Sequence, residues 1–405
     1  MAKATSLAVL RIGVIGLGIA GAAMIPAIRA HAGFVLAGVA DTNPELRRRF
    51  ALEDSCVISE SAADLIARSD IDAIYVATPH QMHRDQAVSA ANSGKHVIVE
   101  KPMALSLEDC DEMIEAARRN KTALVVGHTH GFNPAIKVIR EIIDGGEVGR
   151  ISMVALWNYT DFLYRPRRRE ELDTSAGGGI IFNQIPHQVD IIRTLNPNDV
   201  LSVRASTAVL DPARPTEGSC TALLTFANGG SASLVYSGYD RFDSDELHDW
   251  VGELGQPKRR DRHGATRRAL GSLDDREEAS ARAQRYGYGA GFKYNADAGE
   301  QWRQPHFGTL IVSCEHADIR PTADAVMLYG QEGSRSITIP ESSGVPGRAE
   351  VLDELYHAVV DGLPPLHGGT FARCTLQVCL AILKSAQTNA EVILAQPRSG
   401  MRDAS

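Results

Sequence analysis

The feature that most constrains the fold is a glycine-rich turn between an apolar strand and an apolar helix near the amino terminus. The strand from Arg11 reads Arg-Ile-Gly-Val-Ile and leads into Gly-x-Gly-x-x-Gly. The first glycine permits a tight turn, the second lets a phosphate approach the backbone, and the third allows close helix–strand packing. The helix N-terminus favours negative charge. The pattern predicts a parallel α/β fold that binds a dinucleotide through Gly16, Gly18, Ile19, Ala20 and Gly21.

A carboxylate follows the second predicted strand. Asp41 comes directly after the apolar run 34–40 and twenty residues after Gly21. A carboxylate at this place can accept hydrogen bonds from both ribose hydroxyls of NAD, and it would repel the 2′-phosphate of NADP. NAD is therefore the favoured cofactor. The arginine run 47–49 leaves NADP as the alternative, although such a run also fits a solvated helix face.

Apolar strands alternate with helical patterns as far as residue 128. Short continuous apolar strands separated by helices indicate a parallel sheet that is covered on both faces. Ser106 is the expected N-cap of the last of these helices, with Asp109 three residues on. We predict a doubly wound Rossmann domain over residues 1–128, with strands at 34–40, 73–77, 96–100 and 123–127 and helices at 44–52, 83–93 and 106–120.

Longer segments of alternating apolar and polar residues begin after residue 128. Asn228-Gly229 is typical of a tight hairpin turn, and strands joined by such turns form antiparallel sheets. We predict an α+β domain over residues 129–405 with an open, mostly antiparallel sheet. An exposed sheet face of this kind predicts a homodimer or a homotetramer. The predicted strands are 151–159, 203–210, 221–226 and 231–237, and the predicted helix is 371–394.

Charge and cysteine content limit the partners that the chain can have. Of the 405 residues, 44% are hydrophobic and 23% are charged, as in ordinary globular proteins. The net charge of −8 gives no reason to expect nucleic acid or a membrane as a partner. Six cysteines are scattered without a Cys-x-x-Cys pair. The scattered cysteines predict thiols that stay reduced. Together with the expected lack of a signal peptide and of a run of about eighteen apolar residues, they predict a cytoplasmic protein.

The charged segment 257–285 fits neither domain pattern. It is rich in arginine, aspartate and glutamate and poor in apolar residues. An arm that binds nucleic acid is one interpretation. The acidic residues 274, 275, 277 and 278 among the arginines favour the other interpretation, a solvated insertion or flexible loop.

Lys101 lies where open α/β sheets bind their ligands, directly after strand 96–100. Pro102 fixes its own backbone φ and biases Lys101 toward an extended conformation. This restriction aims the lysine out of the sheet edge. We expect Lys101 to hydrogen-bond a substrate hydroxyl and to help remove its proton while hydride leaves the carbon.

A second group of polar residues follows the glycines 177–179. Three glycines let the backbone approach a ligand. A helix after them would place Asn183, His187 and Asp190 on one face, at i, i+4 and i+7. His187 suits acid/base chemistry because the unperturbed pKa of histidine, about 6.5, lies near working pH. A core histidine that caps a helix is the alternative interpretation.

Together these motifs resemble the Gfo/Idh/MocA oxidoreductases, the family of glucose-fructose oxidoreductase and inositol dehydrogenase. The resemblance covers nearly the whole chain in order. It implies a Rossmann domain, a mixed-sheet domain, NAD or NADP, Lys101 as the catalytic lysine and His187 as its partner in proton transfer. Sugar and inositol dehydrogenases usually have an aspartate at the position of Asn183, and Asp190 is the alternative source of an anion. Further matching residues, expected at the cofactor, are Thr78, Pro79, His83 and Glu100.

Three segments, 127–134, 165–174 and 305–315, resemble the branch that contains phthalate 4,5-cis-dihydrodiol dehydrogenases of aromatic breakdown. Such a substrate carries carboxylates, which arginine can bind through two parallel hydrogen bonds. An arginine-rich stretch also fits a solvated loop. No metal is expected at the histidines, because their spacing is wrong and a nearby carboxylate pair is missing. The predicted contacts to a carboxylated dihydrodiol are His128, His130, Arg165 and Arg168.

The best functional prediction from these residues is an NAD-dependent dehydrogenase that oxidises a secondary alcohol of a small cis-dihydrodiol. A sugar, inositol or polyol dehydrogenase is the first alternative. A non-catalytic NAD-binding regulator is the second, although such a protein could do without the lysine and the histidine.

Overall fold

The computed structural model of this chain describes residues 8–260, 263–285, 288, 303–340 and 347–395. These residues form a six-stranded sheet and a nine-stranded sheet, so the predicted pair of α/β and α+β units is confirmed.

The first sheet is a parallel, doubly wound Rossmann sheet with strand order β3-β2-β1-β4-β5-β6. The predicted strands are present, within a residue at each end. An edge strand and the short helix after it were not predicted, because three half-buried residues give no clear period. The strands are β1 Leu10–Ile15, β2 Phe34–Ala40, β3 Val57–Ser59, β4 Ala73–Val76, β5 His96–Val99 and β6 Leu124–Val126. The helices are α1 Ile19–Ala30, α2 Pro44–Ala51, α3 Ala62–Ile66, α4 His83–Asn92 and α5 Leu107–Asn120.

The second sheet has the order β14-β13-β12-β11-β7-β10-β9-β8-β15. Its strands pair antiparallel except for β7 with β10. Gly229 has φ +80° in the turn between β9 and β10, as the predicted hairpin requires. The strands are β7 Ile151–Tyr159, β8 Val200–Ala208, β9 Ser219–Phe226, β10 Ser231–Ser237, β11 Thr309–Cys314, β12 Ala317–Pro321, β13 Ala325–Gly330, β14 Gly333–Thr338 and β15 Val392–Ile393.

Helices cover one face of the second sheet and join it to the first. The helix predicted over 371–394 ends earlier, at Thr388, because Asn389 adopts a left-handed conformation (φ 49°) before β15. The last two helices pack on the first sheet, so the domain boundary at residue 128 stays a prediction. The helices are α6 Pro134–Asp144, α7 Gly179–Asn183, α8 Ile185–Leu195, α9 Ala265–Leu270, α10 Asp275–Arg285, α11 Arg348–Tyr356 and α12 Gly369–Thr388.

The charged segment is anchored to the second domain. Glu278 on α10 accepts two hydrogen bonds from Arg214, at 3.0 and 2.8 Å, and a third from the main-chain N–H of Arg167 at 2.9 Å. Thr266 on α9 donates to Asp161 at 2.8 Å. Arg282 on α10 also pairs with Glu171, at 3.3 Å, in the loop that carries the arginines. Apart from these anchoring contacts, most described side chains of 257–285 are exposed or half-buried, which fits the predicted solvated insertion.

Candidate active site

The glycine-rich turn has the close contacts that only glycine tolerates. Gly16 has φ +98°, and a Cβ added to Gly21 would lie 1.8 Å from the carbonyl oxygen of Gly16. A Cβ added to Gly18 would meet no atom within 4 Å, so space is open beside that backbone. Ile19 and Ala20 begin α1 and line the cavity described below. The turn thus fits the phosphates of a dinucleotide at a helix N-terminus.

The carboxylate of Asp41 hydrogen-bonds the same glycine-rich turn. It accepts hydrogen bonds from the N–H of Leu17 at 2.6 Å and from the N–H of Asn43 at 2.7 Å. Arg47 donates to the carbonyl oxygen of Asp41 and to Glu60. The other two arginines of the run pair with Glu45 on their own helix. The run is thus a paired helix face, which favours NAD over NADP.

His83 connects two strand ends instead of facing the cavity. One ring nitrogen contacts the carbonyl oxygen of Thr78 at 2.9 Å, and the other contacts the carbonyl oxygen of Pro102 at 3.0 Å. The side chain is fully buried. Thr78 lines the cavity, whereas Pro79 begins the turn before α4. His83 therefore orients the segment that carries Lys101.

Lys101 reaches across from the first sheet to α7. Its Nζ donates a hydrogen bond of 2.9 Å to the main-chain oxygen of Asn183. Burial lowers the pKa of Lys101, the charge of Arg167 lowers it further, and the neighbouring Glu100 opposes both effects. Glu100 in turn accepts hydrogen bonds from Tyr75 and from the N–H groups of Lys101 and His128. The amine is held in a site where its neutral form is more accessible than on an ordinary lysine.

The structure separates the three residues that were predicted to share one helix face. The helix breaks at Gln184, between α7 and α8, so the i, i+4, i+7 prediction is wrong. The side-chain amide of Asn183 donates to the carbonyl oxygens of the preceding glycines, Gly177 and Gly179, at 3.3 and 2.8 Å. Asp190 faces away from the cavity and accepts a hydrogen bond from Thr129.

His187 lines the same cavity as Lys101, and the charge of Lys101 acts on its ring. It is buried, and its Nδ1 has no hydrogen-bond partner among the described residues. Burial lowers the pKa of His187 well below 6.5, and the positive charge of Lys101 adds to that shift. The ring is consequently a neutral imidazole near neutral pH, able to donate or accept a hydrogen bond.

The rings of His128, His130 and Phe307 form with that of His187 one wall of the cavity, the histidine wall. The ring of His130 lies 4.8 Å from that of His187 and stacks on Phe307 at 4.7 Å. His128 lies 5.3 Å from His130. Burial lowers the pKa of His130 to about 3 and that of His128 well below 6.5. As predicted substrate contacts, these two histidines would therefore offer neutral rings and no positive charge near neutral pH.

The arginines differ in what they contact. Arg165 donates to Asp161 at 2.7 Å and lies 3.4 Å from Glu253, so two carboxylates already surround it. Arg168 pairs with Glu170 and Glu171 and is not among the residues that line the cavity. Arg167 lines the cavity and lies over the ring of Phe162 at 3.9 Å. Arg167 is paired as well, since its Nη2 donates to the carbonyl oxygen of Phe162 at 3.2 Å and its Nη1 lies 3.8 Å from Glu171. Arg165 and Arg167 are the two arginines of this loop that line the cavity.

Lys101, His128, His130, His187 and the arginines Arg165 and Arg167 line one cavity of about 1130 Å³ between the two sheets. Arg348, at the start of α11, also lines it and lowers the pKa of His128, His130 and His187. Sequence patterns did not indicate Arg348, which lies in no motif. Phe307 lies in the segment 305–315 that carries the family resemblance, but no role was predicted for it. Groups of three or more potential metal ligands are absent among the described residues. Nor does that part of the chain contain a helix long and apolar enough to cross a membrane. The cavity can hold a cofactor at the glycine turn and an alcohol at Lys101.

Known proteins match the chain along most of its length. A relative from Comamonas testosteroni, 1-carboxy-3-chloro-3,4-dihydroxycyclohexa-1,5-diene dehydrogenase, is 39% identical over 93% of this chain and 95% of its own. Inositol 2-dehydrogenase of Rhizobium meliloti is 29% identical over 62% of this chain and 76% of its own. A crystal structure from Bordetella bronchiseptica RB50 has 43% identity and a TM-score of 0.91, covering 95% of this chain and all of that one.

More distant structures share the fold. Levoglucosan dehydrogenase, solved with NADH and levoglucosan, has a TM-score of 0.71 at 19% identity over 96% of this chain and all of its own. The family model for the oxidoreductase family with an NAD-binding Rossmann fold matches residues 10–128, and the model for its C-terminal domain matches residues 136–255. The chain belongs to the GFO/IDH/MocA family of NAD-binding oxidoreductases.

Proposed function

We propose that this protein oxidises one hydroxyl of a carboxylated ring cis-dihydrodiol, with NAD as the oxidant. The observation that carries the proposal is the placement of Lys101 and His187 in one cavity, beside the ends of the parallel strands. The C. testosteroni relative, which matches along nearly its whole length, is named for a diol of this kind.

Lys101 is proposed as the catalytic base. Its lowered pKa makes the neutral amine accessible, and Nζ then accepts the proton of the hydroxyl that is oxidised. NAD⁺ bound at the glycine turn would supply the acceptor for the hydride of the carbon that bears this hydroxyl. The alcohol thus loses one proton to Lys101 and one hydride to the cofactor, and becomes a ketone. Enolisation of the ketone, when the adjacent carbon still carries hydrogen, restores the aromatic ring and drives the reaction forward.

His187 is proposed to orient the same hydroxyl. A neutral imidazole can donate to the hydroxyl oxygen or accept from it, and it adds no charge that would repel the protonated Lys101. The neutral rings of His128 and His130 line the same cavity and suit the second hydroxyl of a diol. Polar groups that bind each hydroxyl would fix which carbon faces the cofactor.

The substrate carboxylate is proposed to bind Arg167. The guanidinium lies over Phe162, which fixes its plane, and Glu278 holds its main-chain N–H. Its Nη2 already donates to the carbonyl oxygen of Phe162 at 3.2 Å and its Nη1 lies 3.8 Å from Glu171, so a substrate carboxylate would have to replace part of this pairing to form two parallel hydrogen bonds. Arg165, which also lines the cavity and pairs with Asp161 and Glu253, is the second candidate.

Oxidation of a sugar or an inositol is the second candidate function. Carboxylates on the opposite wall, among them Asp243 and Glu253, could accept hydrogen bonds from the hydroxyls of a polyol. The match to an inositol dehydrogenase supports this candidate. A polyol would make no use of Arg167.

The test is the rate of NAD and NADP reduction by the purified protein with a panel of alcohols. The panel contains a phthalate cis-dihydrodiol, an uncharged arene cis-dihydrodiol, myo-inositol and common aldoses. We expect NAD reduction that is fastest with the carboxylated diol. Arg167→Gln should raise KM for that diol and leave the KM of the uncharged diol unchanged. Activity confined to inositol or a sugar would overturn the proposal.

A further inference from the structure

A buried ionic cluster lies directly behind the histidine wall of the cavity. His367, in the loop before α12, is flanked by a carboxylate on each side. Its Nε2 lies 3.5 Å from Asp190 on α8, and its Nδ1 lies 2.7 Å from Glu354 on α11. Glu354 also accepts a hydrogen bond of 3.0 Å from the main-chain N–H of His367. The imidazole and the Asp190 side chain are almost completely buried.

The cluster contacts the segment 127–133, which follows β6 and carries His128 and His130. Thr129 donates to the Asp190 carboxylate at 2.5 Å, and the ring of Phe132 stacks on that of His367 at 3.8 Å. A Cβ added to Gly131 would lie 2.0 Å from the Asp190 carboxylate, so the fit leaves no space for a methyl group.

The held segment presents its other side to the active site. His128 and His130 line the cavity on either side of Thr129, and His130 contacts the ring of His187. A shift of the segment would therefore move two rings of the wall at once. Displacements of about 1 Å at a site of this kind can cost about a hundredfold in rate.

We infer that His367 is a positioning residue, which acts through Asp190 and Thr129 to fix His128 and His130 beside the substrate. The inference rests on the proposed function for its catalytic consequence. The geometry also explains why Asp190 does not orient His187, since its carboxylate is engaged by Thr129 and His367.

Two pairs of variants test the role. Thr129→Val removes the hydrogen bond to Asp190 and leaves the ion pairs of His367 in place, whereas Thr129→Ser keeps the hydroxyl. His367→Leu removes the cation, whereas His367→Gln keeps an amide that can donate. We expect Thr129→Val and His367→Leu to lower kcat/KM for the carboxylated cis-dihydrodiol about tenfold to a hundredfold, with NADH binding kept. Thr129→Ser should recover the activity.

Imidazole NMR signals give a readout that does not need turnover. The ring resonances of His128 and His130, assigned with the variants His128→Gln and His130→Gln, should shift in Thr129→Val and return in Thr129→Ser. Unchanged signals, or unchanged kcat/KM in a destabilised His367 variant, would overturn the inference. A wild-type protein that is inactive on every diol would refute the proposed function alone, because the NMR comparison still decides the positioning role.

Discussion

The amine of Lys101 hydrogen-bonds the main-chain oxygen of Asn183 at 2.9 Å, so the first sheet and the second domain meet at the reacting group. Asn183 is the last residue of α7, and carbonyl oxygens in the last turn of a helix have no partner inside the helix. The carbonyl accepts from Lys101, while the side chain of the same residue holds Gly177 and Gly179. One residue thus fixes both the lysine and the glycine loop.

Replacing Lys101 should remove chemistry and leave cofactor binding. In Lys101→Ala the hydroxyl has no proton acceptor at this place, so kcat should fall by about 10²–10⁴-fold. The measurement is kcat from NADH formation, together with NADH affinity by fluorescence. Lys137→Ala, at an exposed position on α6, is the matched control. Loss of NADH binding with turnover preserved in the bound complex would refute the catalytic role.

Asn183→Asp should impair this protein, although aspartate is usual at this position in sugar and inositol dehydrogenases that the sequence resembles. A carboxylate cannot donate to the carbonyl oxygens of Gly177 and Gly179, and it would face them as an acceptor. We expect a loss of about 1–3 kcal/mol in the free energy of unfolding. Urea denaturation measures it, with Asn228→Asp in a hairpin turn as the control for the change of residue type. Higher stability or higher turnover in Asn183→Asp would contradict this account.

Gly21→Ala should weaken the dinucleotide site. The added methyl group would lie 1.8 Å from the carbonyl oxygen of Gly16, so the turn or α1 must move. We expect weaker NADH binding, read as a higher Kd by fluorescence titration. Gly18→Ala is the informative comparison, because a Cβ there meets no protein atom within 4 Å. In that variant the fold should be unchanged, and any loss of affinity would come from contact with the cofactor itself.

The activity of the wild-type enzyme should rise with pH as Lys101 loses its proton. This titration should form the acidic limb of the curve of kcat/KM against pH. Burial lowers the pKa of Lys101 below 10.5, and the neutral amine is the form that accepts the proton. Arg167 also lowers this pKa, so Arg167→Gln should move the limb to higher pH. The measurement is kcat/KM against pH with the uncharged diol, which does not need Arg167 for binding. A limb that stays in place would show that another group titrates.

Local patterns in the sequence were sufficient to predict most of the first sheet. Gly16, Asp41 and Lys101 each follow a strand of continuous apolar residues, and the position after a strand is what makes them meet at one edge. The N-cap at Ser106 was also predicted, and its hydroxyl accepts from the N–H of Asp109 at 3.1 Å.

Contacts between distant segments could not be predicted in this way. The break at Gln184 has a local signal that the pattern of apolar residues obscured: Pro186 has no backbone N–H and favours the first turn of a helix, so it marks the start of α8. His367 lies in no motif, and its contacts are with Asp190 and Glu354, which lie on two different helices. The neutral state of His130 follows from burial, which the sequence does not show.

His367 should also make the stability of the protein depend on pH. The two flanking carboxylates raise the pKa of its imidazole to about 10, against burial, from a value near 6.5 in the unfolded chain. Because the folded state binds the proton more tightly, this contribution is fully present below about pH 6.5 and is lost as pH rises toward 10.

The difference between wild type and His367→Gln isolates this effect from other groups that titrate in the same range. We expect the urea midpoint of wild type to fall more steeply between pH 7 and 10 than that of His367→Gln. His357→Gln, which changes an exposed histidine paired with Asp361, is the matched control and should follow wild type. Parallel curves for wild type and His367→Gln would mean that the imidazole between Asp190 and Glu354 does not carry the proton.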